Sequence, residues 1–388
     1  MLKKWSSLLL SGALMSCAAF PSSHAVFLDP RDIPLDVKIG QMLCLDFRQW
    51  KDESGNPRNI TEINDTIREI IGKYHIGSVI LFRENFSNEF QSKKLIADLQ
   101  SAAISSGNPP LIIAVDQEGG SVERFAFDRK KLKDNAEITG PTEAYEKGKV
   151  IGSELHDLGI NCDFAPVVDV RSNPESPITE VRSFGADPEK VAVCGESFMR
   201  GLHENGVAAV AKHFPGHGCT ELDTHVGLAV ANKTLEGLEE LELIPFDRLI
   251  KSGVDMVMTA HIALPYVTSE KAISIKDDSE IPVPATLSKG ILTGVLRDKL
   301  GFRGVIVSDA MNMGAISEHF GERERVARAI NAGVDMVLMP VTLRNKEDIE
   351  KLKGLIGYIK DLIISGGISE ERINESVKRI FELKEKYC

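Results

Sequence analysis

Beyond residue 30 the chain alternates short apolar runs with longer amphipathic stretches, and this alternation constrains the fold more than any other feature. Parallel strands cannot be joined by tight turns; each pair needs a long crossover, usually a helix. Eight runs have suitable length and spacing: 41–47, 78–82, 111–115, 162–168, 208–213, 254–259, 304–307 and 334–339. Leu111-Ile112-Ile113-Ala114-Val115 is apolar at consecutive positions, as a strand covered on both faces must be. Eight such units close a TIM-like (β/α)8 barrel, so an α/β fold of that type is expected, with a doubly wound open sheet as the alternative. Ser252–Val257 and Ala332–Val337 repeat almost word for word, each placing a glycine at a helix end before a strand. The tail reads as a helix capped by Ser369, with Ile373, Val377, Ile380 and Phe381 at helical spacing. Only 48 residues follow Pro340 (388 − 340), too few for a typical second domain, so one barrel over residues 26–388 is expected.

The first residues form a separate case. Lys3 and Lys4 precede a stretch from Trp5 to Leu28 without Asp, Glu, Lys or Arg, the pattern of an export signal over residues 1–25. Its apolar part, around Leu8 to Met15, is shorter than the roughly 20 residues of a spanning helix, and Ser23-His24-Ala25 offers a small-residue cleavage site. Leu14-Met15-Ser16-Cys17 resembles a bacterial lipoprotein processing site, so membrane attachment through a lipidated Cys17 stands beside simple release to the periplasm, cell envelope or medium. The net charge of −11 becomes −13 once Lys3 and Lys4 are removed, and no basic cluster stands out, which argues against a nucleic-acid partner. Five cysteines would remain, an odd number without CxxC spacing; Cys44 and Cys162 read as small buried hydrophobes.

A barrel of this kind gathers its chemistry at the C-terminal ends of its strands. Asp116 follows the third expected strand, Asp169 the fourth, Lys212 and His213 end the fifth, His261 follows the sixth and Asp309 the seventh. One aspartate alone would read as a helix cap, but such groups recur around the ring. Asp255 and Asp335 stand at strand starts and read as structural.

The most informative stretch runs Lys212-His213-Phe214-Pro215-Gly216-His217-Gly218-Cys219-Thr220-Glu221-Leu222-Asp223-Thr224-His225. Together with Asp116-Gln117-Glu118-Gly119-Gly120, Arg124, Arg182-Ser183-Phe184-Gly185 and Ser308-Asp309-Ala310-Met311, it resembles the signature of glycoside hydrolase family 3 in its β-N-acetylglucosaminidase branch, single-domain type. That resemblance implies Asp309 as catalytic nucleophile, His225 as general acid/base and Asp223 as its polarising partner. It implies that Asp116, Arg124, Arg182, Lys212 and His213 bind the sugar, and that muropeptide fragments of peptidoglycan turnover are among the substrates.

The same chemistry follows from the residue types. Retaining cleavage of a glycosidic bond needs a carboxylate to attack the anomeric carbon and an acid to protonate the leaving oxygen. Asp309 can supply the first, and His225, an imidazole of a type that titrates near neutrality, can supply the second. Asp223, two positions earlier, faces the same side in an extended segment and favours imidazolium. A zinc site at His213, His217, Asp223 and His225 lacks the usual ligand spacing, so no metal or organic cofactor is expected. Gly216 and Gly218 lack a phosphate-binding pattern and read as flexibility for a mobile catalytic loop. The expected function is a retaining β-N-acetylhexosaminidase acting on N-acetylglucosamine-containing glycans; the alternatives are a β-glucosidase, a β-N-acetylglucosaminide phosphorylase or an exported sugar-binding lipoprotein.

Overall fold

A computed structural model describes residues 29–388 except 128, 177, 221–223, 225 and 226. Residues 1–25, read as an export signal, with Cys17, and also Asp223 and His225, lie outside the described residues.

Eight strands form one all-parallel ring: β1 (Leu43–Asp46), β2 (Ser78–Leu81), β3 (Ile112–Val115), β4 (Cys162–Asp163), β5 (Ala208–Phe214), β6 (Met256–Thr259), β7 (Val305–Val307) and β8 (Val337–Leu338). β8 returns to β1 with Leu43 opposite Val337, and a bridge from Val307 to Met336 joins β7 to β8. Because both edges are joined, the sheet is a barrel and the open-sheet alternative falls. Each strand coincides with one of the eight apolar runs, and the strand residues are buried almost without exception. Fully burying an Ile, Leu or Val contributes roughly 1.5–3 kcal/mol, so these runs have little freedom to lie elsewhere.

Helix α1 (Leu35–Gln41) precedes the barrel. Helices α2 (Asp65–Lys73), α3 (Glu89–Ile104), α4 (Pro141–Leu158), α5 (Pro188–His203) and α6 (Leu243–Lys251) follow β1 to β5 in turn. A π-helix (Gly290–Lys299) follows β6, α7 (Glu322–Ala332) follows β7, and α8 (Ile349–Ile364) follows β8. The tail is α9 (Glu370–Tyr387), whose Ser369 hydroxyl caps the Arg372 N–H and whose Ile373, Val377, Ile380 and Phe381 are buried, as their spacing implied. No helix among the described residues is long and apolar enough to cross a membrane.

Most strands are shorter than their apolar runs, and three of them show a local reason. Gln41 ends α1 instead of opening β1, and its side-chain amide donates to the His75 carbonyl at 2.7 Å while its oxygen accepts from Lys384. β4 stops at Asp163 because Pro166 has no N–H for the ladder; pairing resumes as a bridge from Val167 to Lys212. β8 is preceded by Asp335, which turns to a charge cluster, and followed by Met339, whose φ of 50° leaves the extended region.

Asp335 and Asp255 hold the end of the barrel opposite the strand C-termini. Asp335 is buried against Arg297 (2.5 Å), Arg372 (2.7 Å) and Arg379 (3.1 Å) and accepts the Ile306 N–H. Burial alone would raise its pKa, but the three guanidiniums outweigh this and hold it below the usual carboxylate value. Asp255 joins His203, Lys386 and Tyr387 in the same way. Both are structural, as their position at strand starts implied. Asp335→Ala should therefore cost about 3–5 kcal/mol of stability, the price of leaving buried charges unpaired, while kcat of the folded fraction stays near wild type. Denaturant unfolding paired with active-site titration checks this; a stable variant with damaged kcat would contradict it. Since the folded-state pKa is depressed, this stabilisation is complete above the unfolded carboxylate value of 3.8 and is lost as pH falls through the folded value.

Candidate active site

A cavity of about 450 Å³ opens at the C-terminal ends of the strands, lined among others by Arg48, Phe82, Asp116, Glu118, Arg124, Arg182, Lys212, His213 and Asp309. A larger hollow of about 560 Å³ lies between Asp29–Arg31 and α9, but it is a surface groove carrying none of these converging groups. The chemistry belongs to the first.

One wall is a charge network that no single strand supplies. The Asp116 carboxylate lies 2.9 Å from Lys212 Nζ through one oxygen and 2.9 Å from Arg124 through the other. Lys212 also reaches Glu118 at 2.7 Å, and Glu118 takes a two-pronged contact from Arg182 at 2.6 and 2.9 Å. Burial would raise the pKa of Asp116, but Lys212 and Arg124 beside it outweigh this and hold it at about 2. Glu118 is likewise pulled below its usual value, against burial, by Arg182 and Lys212. Burial would strip the proton from Lys212, and the two carboxylates reverse this and raise its pKa. All three therefore stay charged across the whole neutral and mildly acidic range, a fixed set of donors and acceptors for hydroxyl groups. Beneath them Asp163 accepts the Gln117 N–H at 2.9 Å, and burial raises its carboxyl well above the usual carboxylate value.

His213 is oriented from behind. Its Nδ1 donates to the Asp169 carboxylate at 2.7 Å, and Asp169 also accepts the backbone N–H groups of His213 (3.2 Å) and His217 (2.7 Å). Nδ1 thus carries the proton, and Nε2 is the remaining polar atom of a ring that lines the cavity. His217 is buried between Thr220 (2.8 Å) and Thr224 (3.0 Å), and burial lowers its pKa. Thr224, whose carbonyl accepts the Ala315 N–H at 3.1 Å, is the described residue between Asp223 and His225. Among the described residues no group of side chains is arranged to hold a metal ion. Burial pushes the Cys219 thiol up to about 12, which keeps it protonated and unreactive at neutral pH. The five described cysteines are all free.

Close packing requires glycine at both 216 and 218. A Cβ on Gly218 would stand 1.8 Å from the Val170 carbonyl oxygen, and one on Gly216 2.7 Å from the Glu242 side chain. Glycine is needed here because the loop presses on neighbouring segments, which a reading of local flexibility could not reveal.

Asp309 follows β7 and faces the same cavity. Its Oδ1 accepts the Ala310 N–H at 2.7 Å, which fixes the carboxylate against its own backbone. Phe82, Met258, Met313, Leu338 and Met339 add apolar surface to the same cavity. Thus Asp309, Asp116, Arg124, Arg182, Lys212 and His213, far apart in sequence, meet in one place. Sequence reasoning missed Glu118, although its spacing from Asp116 and the surplus of cations assigned to the site pointed to a second carboxylate. It also missed Arg48, which stacks on Phe82 at 3.5 Å and is tied to Asp46 at 2.7 Å together with Arg344.

Comparison with known proteins agrees with this geometry. Residues 34–383 match the glycosyl hydrolase family 3 N terminal domain. "Beta-hexosaminidase A" of Pseudoalteromonas piscicida is 38% identical over 381 residues, covering 94% of this chain and 63% of that protein. A "Beta-hexosaminidase" of Nitrosospira multiformis is 37% identical over 273 residues, 68% of this chain and 73% of that one. The solved structure of a glycoside hydrolase family 3 β-N-acetylglucosaminidase from Paenibacillus superposes with a TM-score of 0.81 at 39% identity, covering 92% of this chain and 63% of the other. The chain thus spans less than two thirds of the first and third of these proteins. The barrel, the converging site and the match over residues 34–383 together place the chain in glycosyl hydrolase family 3, through that family's N-terminal domain.

Proposed function

We propose that this chain is a retaining β-N-acetylhexosaminidase that removes terminal, non-reducing β-linked N-acetylglucosamine from small glycans, muropeptide fragments included. The observation that carries the reading is the convergence of one carboxylate, Asp309, with a fixed charge network at Asp116, Glu118, Arg124, Arg182 and Lys212 on a cavity of about 450 Å³, the size of a sugar ring with room to spare. The network grips hydroxyls without titrating, and Asp309 attacks the anomeric carbon. His225 donates the proton to the leaving oxygen and then withdraws one from water, with Asp223 holding it as imidazolium. The relatives named hexosaminidase support the choice of sugar.

The test is a panel of nitrophenyl β-glycosides that differ only at the second carbon. Activity should require the acetamido group, with the glucoside at least about 10²-fold poorer in kcat/KM, as expected when a built contact goes unfilled. Equal rates on the glucoside would reassign the chain as a β-glucosidase. Repeating the assay in phosphate separates the remaining alternative: a glycosyl phosphate product would make it a phosphorylase.

A further inference from the structure

His261 stands just beyond β6, is wholly buried, and does not line the cavity. Its Nε2 lies 3.0 Å from the Ala310 carbonyl oxygen, and because a carbonyl only accepts, Nε2 carries a proton. Its Nδ1 lies 2.8 Å from the Thr286 hydroxyl, which is 2.7 Å from the Thr259 hydroxyl. Thr259 in turn accepts the backbone N–H of Asp309 at 3.4 Å. The chain of hydrogen bonds therefore leaves the Asp309 N–H, passes through two buried threonines and a buried imidazole, and returns to the main chain at Ala310. Between those two anchor points sits the carboxylate, itself held by the Ala310 N–H.

We propose that His261, Thr286 and Thr259 are positioning residues that set where the Asp309 carboxylate stands relative to the anomeric carbon. The inference rests on the reading of Asp309 as nucleophile. Attack requires the reacting atoms about 3–3.5 Å apart and aligned, and a displacement of about 1 Å costs about 10²-fold in rate. An aspartate has a short side chain, so its reach is decided by its backbone; Asp309 and Ala310 are partly exposed at the cavity edge, whereas Thr259, His261 and Thr286 are wholly buried. The relay ties that edge to the core. A core histidine that merely satisfied its hydrogen bonds would matter to folding alone, whereas this one acts on the step in which the bond from Asp309 to carbon forms.

The test uses the full chain with four variants and one trapping reagent, a 5-fluoro N-acetylglucosaminyl fluoride, whose glycosyl-enzyme turns over slowly enough to be mapped. Thr286→Val keeps the volume and removes the hydroxyl; His261→Ala removes the ring. Thr286→Ser keeps the hydroxyl, and His261→Gln keeps a donor that reaches Ala310. In the wild type the label should sit on Asp309. Thr286→Val and His261→Ala should lower both kcat and the labelling rate about 10- to 100-fold, with KM changed less than about threefold, and the Ser and Gln variants should recover most of the loss. If His261→Ala fails to fold, Thr286→Val, checked for a wild-type melting temperature, decides. Label on Asp309 at an undiminished rate in folded Thr286→Val overturns the relay alone, as does a raised KM at constant kcat. Label on another residue removes Asp309 as nucleophile, and the relay with it.

Discussion

Asp309→Ala should lower kcat on every β-N-acetylglucosaminide by about 10⁴-fold or more, the usual consequence of deleting a covalent nucleophile, while binding of the product sugar stays within about tenfold of wild type. Binding survives because the groups that grip hydroxyls, Asp116, Lys212, Arg124, Glu118 and Arg182, hold one another in place. The variant carries its own diagnostic. Alanine leaves a small vacant volume on the face from which the carboxylate attacked, so azide added to an activated substrate should enter there and give the α-glycosyl azide. A mechanism in which the substrate's own acetamido oxygen attacks would send azide to the other face and give the β-azide. Isolation of the β-product, or a loss of less than about 10²-fold, would remove Asp309 from the nucleophile's role.

His225→Ala should show a different signature, because a general acid matters most when the leaving group is basic and least when it departs unaided. The loss on a natural disaccharide should exceed that on a nitrophenyl glycoside by about 10²-fold or more. Asp223→Ala should follow the same pattern, since an imidazole without its carboxylate is a poorer proton carrier. With His225→Ala, azide should accelerate turnover of the activated substrate and yield the β-glycosyl azide, because a small anion needs no general base to attack the glycosyl-enzyme. The pair of azide products, α from Asp309→Ala and β from His225→Ala, assigns the two roles independently of any rate. Equal losses on both substrate classes without rescue would move the proton shuttle to another residue, His213 first among them, since its Nε2 is on a ring that lines the cavity.

The lengths of the strands show how far reading along the chain reaches. Every apolar run became a strand, because burial on both faces leaves its mark at each successive residue. The runs overran their strands at Gln41, Val168 and Val334, because a residue next to an apolar run is equally at home at a helix end, beyond a proline or in a turn. The Gly-Pro-rich loop carries a related lesson: glycine has the same appearance in sequence whether it serves motion or close contact, and only the structure shows that a side chain at Gly218 would stand 1.8 Å from the Val170 carbonyl oxygen.

By itself, then, the sequence determined eight strand–helix units and which polar residues follow their strands, since apolar runs, punctuating glycines and the polar residue after each strand are all local properties. What only the tertiary structure decided is who meets whom. Lys212 reaches Asp116 across 96 residues, Arg182 reaches Glu118 across 64, and the Asp309 N–H reaches Thr259 across 50. Those partnerships set the charge state of every group in the wall and the placement of the proposed nucleophile. They exist only once the ring closes, because a buried charge is tolerable in one place alone: beside the opposite charge that the next strand brings.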